Sequence, residues 1–193
     1  MPVADLTKRL SYEAVYFPYL VDGGGYTTSL VLSNTSNKTE QGILRMFDDS
    51  GEAMVVAQAG GLSDSSFRYS IPPNGIFHFQ TMGFPELPKT GWVQMIPASY
   101  SPAPIGAVVI GYNPAEALIS EACIPSVLAT THARVYADLS NNRNTGLTIS
   151  NVSADDASIT VVAYKTDGFT IAGISEKSIK LRAKGHATVF VDP

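Results

Sequence analysis

Apolar and polar residues alternate at every second position along most of this chain. Clusters of Gly, Pro, Asn or Asp cut each run short. A period of two puts one set of side chains on one face of a strand and the next set on the other. The pattern predicts strands at Ala14–Val21, Thr27–Ser33, Gly42–Asp48, Ala53–Gln58, Ser65–Ile71, Ile76–Thr81, Gly91–Ile96, Ile105–Tyr112 and Ala117–Ile124. A second series follows at Arg134–Leu139, Thr145–Ser150, Ser158–Lys165, Thr170–Gly173, Lys177–Leu181 and His186–Val191. No window of about 11 residues carries a helical period. The chain reads as all-β.

The second series echoes the first. Tyr16–Gly51 aligns with Ala133–Gly168 without a gap, 117 residues later, and seven of the 36 pairs are identical. Chance gives about two. The identities include Thr28/Thr145, Leu30/Leu147, Asn34/Asn151 and Gly51/Gly168. Past this block Ile71–Gly75 parallels Leu181–Gly185 at an offset of 110, so the first half carries seven extra residues, placed in the Gln58–Ser66 loop. Thr90–Met95 and Pro104–Tyr112 have no counterpart in the second half.

A sheet with one apolar face must bury it against another sheet. The expectation is therefore a tandemly duplicated antiparallel β-sandwich with the second copy shortened. Residues 13–125 form the first module, 126–132 the connection, and 133–193 a shorter module packed on the first. Alternation assigns Leu30, Leu32, Leu44 and Met46 to the core, with Leu147, Ile149, Val161 and Ala163 as their counterparts. The shortened second half leaves sheet edges uncovered, which favours self-association or a protein partner.

Composition narrows the chemistry. Charged residues make up 16%, the net charge is −4 and no Lys/Arg run exists, which argues against a nucleic-acid partner. No stretch of about 18 apolar residues predicts a membrane span. The first ten residues lack the apolar core of a signal peptide, so the expectation is either a cytoplasmic protein or a piece of a longer exported one. Cys123 is the single cysteine and sits in an apolar run, which suits burial.

No catalytic or cofactor constellation emerges. His78, His132 and His186 show no zinc-ligand spacing, and no Gly-x-Ser-x-Gly elbow is present. Asp48-Asp-Ser-Gly-Glu52 reads as a turn, and Asp22-Gly-Gly-Gly25 precedes a strand, so it lacks the helix start that a phosphate loop uses. Trp92, Tyr26 and Tyr100 are the candidates for a carbohydrate or partner surface, because flat amphipathic rings suit both. Trp92, directly after Gly91 at a strand start, also suits the core. The expected function is a non-catalytic structural, adhesive or partner-binding module that uses no cofactor.

The motifs Tyr16-Phe-Pro-Tyr19, Asp22-Gly-Gly-Gly-Tyr26-Thr-Thr, Leu30-Val-Leu-Ser-Asn34, Ile71-Pro-Pro-Asn-Gly75 and Thr90-Gly-Trp-Val93 resemble a family of uncharacterised bacterial repeat modules found in large exported proteins. That resemblance implies a secreted or cell-surface location and transfers no functional residue. The order of the Asn turn, the Pro-x-x-Gly turn and a late apolar Pro-Ile strand is more distantly similar to sensory rhodopsin transducer proteins. This second likeness implies a β-sandwich that oligomerises and binds small molecules or partner proteins.

Overall fold

A computed structural model describes residues 11–114, 117–141, 144–165, 167–169 and 177–191. The described chain is all-β, with several antiparallel sheets and no helix. One four-stranded sheet orders β1 (Val15–Asp22), β8 (Lys89–Pro97), β3 (Glu40–Asp48) and β6 (Ser66–Ile71). The other orders β10 (Ser120–Pro125), β9 (Ile105–Tyr112), β2 (Tyr26–Ser33) and β7 (Ile76–Gln80). A small pair, β4 (Val56–Ala57) and β5 (Ser63–Asp64), closes the long loop. The second half contributes two pairs, β11 (Gly146–Ser150) with β14 (His186–Phe190), and β12 (Ala157–Val161) with β13 (Lys177–Leu181).

Alternation decides what each strand buries. On β2, Thr28, Leu30 and Leu32 are buried while Ser29, Val31 and Ser33 are half-exposed. Leu44 and Met46 of β3, Phe17 and Leu20 of β1, and Val93 and Met95 of β8 join Phe79, Val108 and Ile110 in one apolar cluster fed by both large sheets. Burying a side chain of that size stabilises a fold by about 1.5–3 kcal/mol. Their counterparts differ in depth: Leu147, Ile149, Val161 and Ala163 are half-buried.

Backbone geometry repeats where sequence repeats. Leu30 pairs with Phe79, and Leu147 with Val189; Glu40 pairs with Ile71, and Ala157 with Leu181. The Asn34 amide donates to the carbonyls of Lys38 and Ile71, and its oxygen accepts from the Ser36 N–H. Asn151 does the same with Asp155, Arg182 and Ser153. Thr28 Oγ1 donates to Val21 O, and Thr145 Oγ1 to Asp138 O. Each of these residues sits where a short polar side chain satisfies backbone groups that the turn leaves unpaired.

Four sequence expectations fail. Arg134–Leu139 forms no strand, and Val135 and Tyr136 stand exposed. Its counterpart β1 is held by β8, for which the described residues of the second half show no equivalent, so strand propensity there finds no ladder among them. Ala53–Gln58 shrinks to Val56–Ala57 because the chain turns through Gly60 and Gly61 to pair with Ser63–Asp64. Ser158–Lys165 ends at Val161. Cys123 is exposed: β10 is an edge strand, and alternation gives the cluster its neighbour Ile124 instead. The strand expected at Thr170–Gly173 lies outside the described residues.

Candidate functional site

The most specific polar geometry joins the two halves. β8 sends Val93 and Met95 into the apolar cluster, so alternation turns Trp92 to the sheet's outer face. There its ring stacks on Phe47 at 4.8 Å and meets Tyr16 at 6.0 Å. Its indole N–H donates to Lys184 O at 2.7 Å, and the side chain has no exposed surface. The turn between β13 and β14 therefore seals Trp92, which is buried at a seam and not among the cluster residues.

Beside it runs a second polar line. His186 Nδ1 lies 2.7 Å from Asp49 Oδ1, and Nε2 lies 2.7 Å from Thr148 Oγ1. Thr148 Oγ1 also donates to Pro18 O at 2.8 Å, and Thr90 Oγ1 donates to Asp49 Oδ2 at 2.6 Å. A threonine hydroxyl has one proton. When it goes to Pro18 O, the His186 Nε2–H donates to Thr148 Oγ1; when it goes to Nε2, the Nδ1–H donates to Asp49.

The order Asp–His–Thr has the connectivity of a hydrolytic triad. Here the Thr148 hydroxyl is within hydrogen-bond distance of a backbone carbonyl, and the His186 side chain is 1% exposed. The arrangement acts as a clamp between β1, the β3 turn, β11 and β14. Burial raises the Tyr19 phenol above its ordinary value, with the nearby Tyr26 and the Asp49 charge adding to it. Tyr19 also covers the His186 ring at 5.9 Å.

The other aromatic candidates stand apart from this seam. Tyr26 is half-buried and stacks on Tyr112 at 4.5 Å, across the β2–β9 ladder. Tyr100 is 97% exposed and holds a φ of 64°. Asp48 caps its own turn, accepting from Ser50 N–H, Ser50 O–H and Glu52 N–H. His78 and His132 are exposed. Among the described residues no group of three or more His, Cys, Asp or Glu is placed to hold a metal ion, and no helix is long and apolar enough to cross a membrane.

The Asp22–Gly25 loop is packed by prolines from two later segments. A Cβ on Gly23 would meet Pro85 O at 2.5 Å, one on Gly24 would meet Pro88 Cδ at 2.7 Å, and one on Gly25 would meet Pro114 Cα at 2.8 Å. Asp22 is buried and accepts from the Gly83 N–H. The glycines make room for chain, which leaves no cradle for a phosphate.

No protein family, curated protein or solved structure matches this chain.

One buried group escaped the sequence reading. Glu40 has no exposed surface, and among the described residues neither of its carboxylate oxygens, nor the buried Tyr69 hydroxyl, has a hydrogen-bond partner. Burial pushes the Glu40 carboxyl above its ordinary value, with the Ser36 hydroxyl opposing it. Burial, then the Glu40 charge, pushes Tyr69 upward too. The signal was available: Glu40 shares the inward alternation of Leu44 and Met46, and its counterpart is Ala157.

Proposed function

We propose that this chain is a non-catalytic structural and partner-binding protein, a tandemly duplicated antiparallel β-sandwich whose shortened second copy is seated on the first. Residues 13–125 and 133–193 are the two modules, joined through 126–132. The observation that carries this reading is the seam: the turn at Arg182–Gly185 of the second module caps Trp92 on the first module's outer sheet face. The matching registers and the matching Asn34 and Asn151 networks support duplication.

The seat is heterologous, since one module offers a sheet face and the other offers a turn. Contacts of that type build linear arrays. A structural role in a longer surface or secreted protein follows, in keeping with the resemblance to bacterial repeat modules. The test is a protease site introduced within Ser126–His132. After cleavage the two pieces stay together, and Trp92 stays shielded from acrylamide. Pieces that separate while Trp92 quenching is unchanged overturn the reading.

A second reading, a carbohydrate-binding module, is favoured by Tyr100, whose ring projects almost wholly into solvent. Binding of a glycan panel lost in Tyr100→Ala supports it, and no binding by the parent chain removes it.

A further inference from the structure

We propose that the free edges of β11 and β12 form an acceptor site for a two-strand β-arch of the β8–β9 pattern, supplied by another polypeptide of this module type. The inference rests on the reading of the second half as a shortened copy, and it names the partner that such a copy recruits.

The first half shows what fills the equivalent place. There β3 lies between β6 and β8, and β2 lies between β7 and β9. β8 and β9 are consecutive strands that belong to different sheets, so one arch covers both edges. In the second half, β12 keeps its β6-like neighbour β13, and β11 keeps its β7-like neighbour β14, each in the same register as in the first half. Among the described residues no strand pairs with the other edge of either one.

Backbone direction identifies the open groups. Asn151 N–H bonds to Gly185 O, and Val191 N–H bonds to Thr145 O, so the odd-numbered residues of β11 face β14. Gly146, Thr148 and Ser150 therefore aim their N–H and C=O outward. On β3, Gln41 O accepts from Ala98 on the β8 side, while Met46 N–H bonds Ser65 on the β6 side. The same register on β12 turns Ser158 and Thr160 to the open edge.

Side chains agree with the backbone. Leu30, Leu32, Leu44 and Met46 are at most 1% exposed, covered in part by Val93 and Met95 of β8 and by Val108 and Ile110 of β9. Leu147, Ile149, Val161 and Ala163 lack that cover and remain half-buried. The matching partner thus alternates apolar residues inward at the positions of Val93, Met95, Val108 and Ile110. It adds its strands by main-chain hydrogen bonds, the general mode of β-augmentation.

The experiment is amide hydrogen exchange on the intact chain with a synthetic peptide copying Lys89–Tyr112. Exchange at Thr148, Ser150, Ser158 and Thr160 is expected to slow by about tenfold or more, while Leu147, Ile149 and Ile159, already in ladders, change little. A peptide with Asp at the Val93, Met95, Val108 and Ile110 positions gives no protection. Thr160→Pro, which removes one edge N–H, weakens protection on β12. Unchanged exchange at peptide concentrations up to about 1 mM, or protection that falls on β7 or β10 instead, overturns the proposal. The cleavage test at Ser126–His132 reports the seam separately, so an intact seam with a silent peptide removes this inference alone.

Discussion

Gly51 and Gly168 hold the same left-handed backbone, with φ of +91° and +90°, yet a Cβ on Gly51 would sit 2.1 Å from Ala183 O and one on Gly168 would touch nothing among the described residues. The pair separates the strain of a turn from the packing of the seam. Gly168→Ala is expected to cost about 1–2 kcal/mol, the penalty of a left-handed Ala. Gly51→Ala bears that penalty and also displaces the docked turn, so it costs roughly 2–4 kcal/mol and shifts Trp92 emission to the red. Urea unfolding followed by fluorescence of the single tryptophan measures both; equal costs would mean that the turn at Ala183 does not press on Gly51.

The clamp predicts a measurable coupling. His186→Ala leaves Asp49 and Thr148 without their shared partner and is expected to destabilise the chain by about 1–3 kcal/mol. Asp49→Ala costs less, because the Asp49 side chain is 56% exposed and water replaces part of the bond. A double-mutant cycle gives a coupling of roughly 0.5–3 kcal/mol. Strict additivity would show that the two side chains do not interact in solution.

Glu40 makes stability depend on pH with a defined sign. Burial raises its folded-state value above the unfolded one, so the folded chain binds the proton more readily. The stability Glu40 contributes is present in full below the ordinary carboxylate range and is lost as pH rises through the raised folded value. Glu40→Gln removes this dependence and is expected to stabilise the protein at pH 8 by roughly 1–3 kcal/mol, with little effect at pH 4. Chemical unfolding of both proteins across that range is the check, and parallel curves would contradict it.

Unequal depth predicts unequal cost for matched leucines. Leu30→Ala removes a fully buried side chain and is expected to cost about 3–5 kcal/mol. Leu147→Ala, at a half-buried position, is expected to cost about 1–2 kcal/mol. Thermal unfolding of the two variants decides; a cost at Leu147 equal to that at Leu30 would imply cover that the described strands do not supply.

Strands whose partners lie in the same half of the chain were legible from alternation alone: β2, β3, β7, β9 and β14 begin and end within two residues of the pattern's limits. Leu30, Leu32, Leu44 and Met46 were equally legible, because a period of two assigns faces without tertiary knowledge. What failed was non-local. Arg134–Leu139 has strand chemistry but forms no strand, and Cys123 has core chemistry but sits on an edge. Trp92 was singled out as a surface or core candidate, yet its surroundings depend on Lys184, 92 residues away. The Asp49–His186 link spans 137 residues and leaves no local trace beyond the paired glycine turns.

The three glycines at Asp22–Gly25, each pressed by a proline from another loop, fix one pole of the first half as tightly as any part of its interior. A side chain added there has nowhere to go, so this pole is closed to the sequence drift that surface loops usually absorb. At the opposite rim Asn34 and Ser36 are themselves buried and the Asn34 amide ties the carbonyls of Lys38 and Pro72 together, so room for new side chains is confined there to exposed positions such as Asn37, Lys38, Thr39 and Pro73.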